Sequence, residues 1–145
     1  MADVDLIGAL IAHLKAQAAI SALVSTRVFG QELPGTESES MPRKALVLRY
    51  AGRGNSPVGA NDYIRHDSIR LDVWHYGETF FQADRVRREV HQTMKSIGIP
   101  PVNQNSVRVH SASDVSGPIP ITDPDTNWPI IIDSYSVFYS EAALG

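Results

Sequence analysis

Residues 63–98 read YIRHDSIRLDVWHYGETFFQADRVRREVHQTMKSIG, and this stretch predicts a strand, a tight turn at Gly77 and one amphipathic helix. Two apolar patterns support this prediction, a period of two in the strand and a stripe at helical spacing in the helix. The alternating strand residues are Ile69, Leu71 and Val73 against Arg70, Asp72 and Trp74. The helical stripe consists of Ala83, Val86, Val90, Met94 and Ile97. We therefore expect the helix to pack on the buried face of the strand.

The composition is that of one ordinary globular domain spanning residues 1–145, with 43% hydrophobic and 20% charged residues. Because the chain contains no cysteine, disulfides and thiolate metal sites are excluded. A net charge of −3 argues against a nucleic-acid-binding class. The longest apolar stretch, residues 6–14, is far shorter than the ~20 residues of a membrane-spanning helix. No basic region typical of a secretory signal precedes it, so we expect neither membrane insertion nor secretion.

The remaining segments predict an α+β fold. Residues 5–15 form a helix, a second short helical turn follows at 20–25, and a brief extended piece lies at 27–29. Further strands are expected at 45–50, 106–113 and 130–139, and long functional or mobile loops at 31–43, 51–62 and 114–129. The order α-β-β-α-β-β predicts an antiparallel sheet of about four strands packed against two helices.

Catalytic signals are weak in this sequence. His66, Asp67, Asp72 and His75 fall on one predicted strand, but neighbouring strand positions point to opposite faces, so ordinary surface or partly buried residues are the favoured interpretation. A small metal- or ligand-binding enzyme domain that uses His66, Asp72 or His75 is a distant alternative. Arginines on the second helix are interleaved with Asp84 and Glu89, which favours a solvated face over a nucleic-acid surface. We expect no enzyme activity and no cofactor.

The long loops are the better candidates for function, because isolated aromatic and apolar residues on polar loops are typical of protein–protein contacts. The alternative, most evenly balanced for Trp128, is that each loop folds back and buries its own aromatic residue. The candidate contact residues are Arg53, Asn55, Val58, Tyr63, Trp74, Tyr76, Ile119, Ile121 and Trp128.

The sequence also resembles a known family over roughly residues 5–140. The resemblance lies in patterns of hydrophobic residues around one Asp-Val-Trp core. Its elements are the first helix with Leu6, Ala9, Leu10 and Leu14, the segments 20–24 and 27–29, the strand 45–50, the strand 69–74, and a helix from Ala83 to Met94. In these features the chain is similar to the small tail-completion or tail-terminator proteins of long-tailed bacteriophages and related gene-transfer particles.

This resemblance implies a structural role at the head-proximal end of a virion tail, after assembly in the host cytoplasm. It implies a ring, typically a hexamer of the chain with itself, that caps the tail tube and ends its elongation. Its partners would be the tail-tube protein and a head-completion or neck protein, while DNA passes through the lumen without specific binding. A head-completion, neck or minor tail protein of the same particle is the alternative.

Overall fold

The computed structural model describes residues 5–39, 42–53, 66–98, 102–104, 107–124 and 127–141. Its helices are α1 (Leu6–Lys15), α2 (Ala18–Val24), α3 (Gly35–Ser38) and α4 (Phe80–Ser96). Its strands are β1 (Val28–Gly30), β2 (Ala45–Arg53), β3 (His66–Tyr76), β4 (Val102–Gln104), β5 (Val107–Thr122) and β6 (Pro129–Glu141). The six strands form one sheet in the order β1-β2-β3-β6-β5-β4.

Side-chain caps fix the start of both long helices where the sequence places them. The carboxylate of Asp5 accepts a hydrogen bond from the backbone N–H of Gly8 at 2.9 Å, and the hydroxyl of Thr79 accepts one from Gln82 at 3.2 Å. These bonds satisfy N–H groups that have no partner within the helix. Beyond α4, Gly98 has a φ of +129°, which favours a residue without a side chain.

The α+β class is confirmed, but the predicted sheet is wrong in its strand number and in its order. The extended piece at 27–29 is a true strand, β1, and it pairs in parallel with β2. A three-residue strand carries too short a pattern to be recognised as part of a sheet from sequence. The predicted loop at 31–43 also contains the one-turn helix α3.

The predicted loop at 114–129 is mostly strand, because β5 continues to Thr122 and β6 begins at Pro129. Gly117, Pro118 and Pro120 suggested a loop, but β4 pairs only with the first three residues of β5. No described strand pairs with the outer side of the later part of β5, and proline is tolerated where one side of a strand needs no N–H donors. Two register shifts, between Asp114 and Ser116 and between Ser116 and Ile119, accommodate this segment opposite β6. The predicted loop at 51–62 likewise begins with strand, and its residues after Arg53 lie outside the described ones.

The core lies between the helices and one face of the sheet, which we call the helix face. Leu71 and Val73 of β3 are fully buried there, as predicted, against Leu10 and Leu14 of α1 and the apolar stripe of α4. Helix α1 contacts β1 and β2 at one side of the sheet and β4 at the other, so the sheet curls around it. The opposite face, the outer face, carries a second and smaller apolar cluster.

Among the described residues, no single helix is long and apolar enough to cross a membrane. Only α1 and α2 taken together reach that length, and they are bent by 91° at the break between them.

Candidate functional site

An aromatic cluster occupies one end of the outer face. Trp74 and Tyr76 alternate on β3, and the turn after β5 brings Trp128 to Tyr76 with ring centroids 6.4 Å apart in an edge-to-face arrangement. The guanidinium of Arg49 lies 4.5 Å from the ring centroid of Trp74. Both geometries are favourable contacts of aromatic rings. Ile121 of β5 packs against the same cluster.

The structure therefore brings together four of the predicted contact residues: Trp74, Tyr76, Ile121 and Trp128. Tyr76 is buried and the other three are half-buried, so much of this apolar surface is already used within the chain. For Trp128 the local packing matches the alternative in which a loop buries its own aromatic residue.

Two of the other predicted contact residues, Ile119 and Arg53, are described and are not members of this cluster. Ile119 is 47% exposed on β5. Arg53 is the last residue of β2. Asn55, Val58 and Tyr63 are outside the residues that the structure describes.

A second apolar surface, which was not predicted from the sequence, lies beside the start of α4. Phe81 is 90% exposed and Phe80 is 41% exposed. Together with Pro118 and Pro120 they surround an open cavity of about 310 Å³ above Ile131. We call these four residues, 80, 81, 118 and 120, the apolar ledge. A sequence signal existed, since Phe81 lies off the apolar stripe of α4 and on the same side as Arg85.

A polar network joins α4 to the sheet on the helix face, although the sequence predicted a solvated face for the arginines of this helix. Arg87 donates to Asp84 at 2.9 Å and lies 3.7 Å from the carboxylate of Asp133. Asp133 is only 4% exposed, and this burial raises the pKa of its carboxyl group. The buried carboxylate on β6 thus has its cation on α4, which ties helix and sheet together.

A second arm of this network reaches β5. The Nδ1 atom of His91 lies 3.2 Å from the hydroxyl of Tyr135 and 3.3 Å from the carboxylate of Asp114. Tyr135 is fully buried. Burial is the main cause that raises the pKa of its hydroxyl group, and the carboxylates of Asp133 and Asp114 raise it further. These contacts fix the position of α4 relative to β5 and β6. The titratable side chains of this network therefore have a structural role.

The expectation that His75 is a surface or partly buried residue is wrong, because its side chain is fully buried on the helix face of β3, against which α4 packs. Its Nδ1–H donates to the carbonyl of Ile131 at 2.8 Å. Desolvation lowers the pKa of His75 to about 4, although the bond to Ile131 opposes that shift. The ring is therefore neutral at pH 7.

The metal-site alternative gains no support from this geometry. Asp72 lies on the outer face, where its carboxylate accepts a hydrogen bond from Ser134 at 2.5 Å, whereas His75 points to the helix face. Within the described ranges, no group of three or more potential ligand side chains could hold a metal ion.

Comparison with protein families matches residues 8–119, more than half of the chain, to the family described as tail completion protein gp17. The chain belongs to the tail completion protein gp17 family. This membership identifies it as a structural protein of a virion tail and not as an enzyme. The family resemblance inferred from the sequence is thereby confirmed. Curated protein sequences give no match.

Solved structures support the fold. A chain from the virion of a native gene transfer agent particle matches with a TM-score of 0.67 and 15% identity, covering 93% of this chain and 94% of that one. Another solved structure covers 95% and 96% at 14% identity, but its TM-score of 0.47 is too low to establish a common fold. The first match shows that this tail completion protein shares its fold with a component of a phage-like particle.

Proposed function

We propose that this tail completion protein forms a ring that caps the tail tube, ends its elongation and presents a docking surface to the head. The ring consists of six copies and sits at the head-proximal end of the tail. Its neighbours are the tail-tube protein and a head-completion or neck protein, and it is assembled in the host cytoplasm. DNA passes through its lumen without specific binding.

The observation that carries this proposal is the family match over residues 8–119. A completion protein acts after the tube is built, so its task is to contact the finished end. The fold shared with a chain of a gene transfer agent virion supports a place in a particle of this kind.

The exposed surface of the chain has features typical of a protein that binds other proteins. Soluble monomers seldom leave large contiguous apolar patches exposed, and such patches often mark interfaces. The apolar ledge leaves aromatic surface exposed, most of all Phe81 at the start of α4. The aromatic cluster around Trp74 and Trp128 gives the outer face a second apolar region.

Growth of the tail tube in vitro tests the proposal directly. Tail-tube protein from the same particle is polymerised with and without this chain, and tube lengths are measured by electron microscopy. We expect shorter tubes, each with a ring at one end that an antibody against this chain labels. Light scattering on the purified chain, or on caps released from the tubes, should give the mass of a ring.

An unchanged length distribution at saturating chain, with no label on tube ends, would contradict capping. Label on tail-less heads, and none on tubes, would instead support the head-completion or neck alternative. An equal concentration of an unrelated acidic protein controls for effects of crowding on tube growth.

A further inference from the structure

We propose that His91 and Asp114 form a pH-sensitive contact between α4 and the later part of β5, residues 113–122, and that proton uptake by His91 tightens it. The later part of β5 forms one wall of the cavity at the apolar ledge, and the start of α4 forms the other. The contact therefore determines how firmly these two walls are joined. It lies within one chain and does not require the proposed ring.

The backbone ladder is interrupted at the place where this contact lies. Residues 113–122 pair with β6 on one side, and no described strand pairs with their other side. Their pairing with β6 also shifts register twice, directly after Asp114 and again before Ile119. Each shift disrupts the ladder hydrogen bonds locally, and segments with few such bonds open most easily. A side-chain contact at Asp114 therefore adds support where the backbone supplies least.

The position of the ring proton of His91 follows from the two oxygens that face it. Its Nδ1 atom lies 3.2 Å from the hydroxyl of Tyr135 and 3.3 Å from the carboxylate of Asp114. An ionised carboxylate can only accept, so an unprotonated Nδ1 would place two acceptors against each other. Nδ1 therefore carries the proton and donates it to Asp114. The hydroxyl of Tyr135 then donates to the carboxylate of Asp133, to which it is hydrogen-bonded.

His91 is the source of positive charge that remains for Asp114. Arg87 lies beside the carboxylates of Asp84 and Asp133. In the described part of the chain, no lysine or arginine forms an ion pair with Asp114. A second proton on His91 converts its hydrogen bond with Asp114 into an ion pair, and hydrogen bonds between two charged groups are the strong ones. The contact is therefore strongest at low pH and weakens as the pH rises and His91 loses that proton.

The charged groups around His91 act in both directions. The carboxylates favour proton uptake, and Arg87 opposes it. His75 is neutral at pH 7 because burial lowers its pKa to about 4, so it does not oppose the first proton. The charged and titratable neighbours are Asp84, Arg87, Arg88 and Lys95 at helical spacing on α4, Asp114 on β5, Asp133 and Tyr135 on β6, and His75 on β3.

Amide hydrogen exchange followed by NMR tests the contact at the level of single residues. Protection factors, corrected for intrinsic exchange rates, are compared at about pH 5.5 and about pH 8, the range over which histidine ordinarily changes charge. We expect the amides of β5 and β6 near Asp114 to be protected about 2- to 5-fold more at the lower pH, relative to amides of β2 and β3 in the same samples. This internal comparison removes changes in global stability, such as those caused by His75.

Two variants and a matched control separate this contact from other titrating groups. Asp114→Asn and His91→Gln should each abolish the pH-dependent difference in protection. His110→Gln removes another half-buried histidine, which lies on the same strand and 2.8 Å from the hydroxyl of Ser140, and should preserve the difference. Thermal unfolding shows that each variant is folded before its exchange is measured.

Either of two results would overturn the proposal. Equal or lower protection near Asp114 at the lower pH, or a difference of unchanged size in Asp114→Asn, would mean that proton uptake by His91 does not tighten the contact. Ring ¹⁵N chemical shifts that place the proton of neutral His91 on Nε2 would refute the assignment of Nδ1 as the donor to Asp114.

Discussion

Acid should destabilise this protein through one side chain, His75, which is fully buried under α4. Burial lowers its pKa from 6.5 in the unfolded chain to about 4 in the fold. As the pH falls, the unfolded state therefore binds the proton first. Above pH 6.5 the residue has no effect, and between pH 6.5 and pH 4 it progressively reduces the free energy of unfolding.

The size of this effect follows from the pKa difference. Each pKa unit corresponds to about 1.4 kcal/mol, so the shift from 6.5 to about 4 corresponds to a loss of about 3 kcal/mol at pH 4. The raised pKa of Asp133 acts in the opposite direction, because its folded form binds a proton more readily than its unfolded form. Only a comparison that isolates His75 can therefore measure the loss.

The comparison is between the unsubstituted chain and His75→Asn, which keeps an N–H donor for the carbonyl of Ile131 but does not titrate near pH 5. Urea unfolding is followed by tryptophan fluorescence at several pH values from 7.5 to 4. The variant will be less stable at pH 7.5, and we expect the difference to shrink by about 3 kcal/mol by pH 4. A difference that stays constant over this range would refute the assignment. His13→Asn, at a half-buried histidine whose pKa is also lowered by burial, should show a smaller change.

Two further predictions concern packing. Gly77→Ala should lower the free energy of unfolding by about 1–3 kcal/mol, because a Cβ atom there would lie 2.6 Å from the backbone nitrogen of Ala83. Gly35→Ala is the control and should be nearly neutral, because its Cβ atom would meet no atom within 4 Å. Equal urea midpoints for these two variants would contradict the close approach at the turn into α4. Leu10→Ala removes a fully buried side chain and should lower the free energy of unfolding by about 2–5 kcal/mol. Phe81→Ala changes an exposed side chain and should change it by no more than about 0.5 kcal/mol. Thermal unfolding of the monomer measures both.

The central strand and helix could be read from the sequence because both carry long periodic patterns. Leu71 and Val73 are buried on β3, and the stripe of α4 is buried against them. The sequence pattern gave a wrong prediction for the later part of β5, where Pro118 suggested a loop. Whether a proline interrupts a sheet depends on whether its nitrogen, which carries no hydrogen, faces a partner strand. That is a property of the assembled sheet.

The candidate contact residues show the same division. Trp128 was a candidate because it lies on a predicted loop, and Trp74 and Tyr76 because they lie near the predicted loops. The burial of all three depends on which surfaces meet across the outer face. Phe81 lies off the apolar stripe of α4, so its sequence position indicates that the sheet does not bury it, but whether another segment covers the ring is decided only in the tertiary structure.

By itself the sequence determined the α+β class, the positions of α1 and α4 and the buried face of β3, because these rest on local periodicity and caps. The family was inferred from a resemblance, which the family match over residues 8–119 confirmed. The tertiary structure alone decided the six-strand order, the burial of His75, the network from Arg87 to Asp133 and the apolar ledge. Each of these depends on which distant segments come into contact, and a local pattern gives a side chain's direction but not what it meets there.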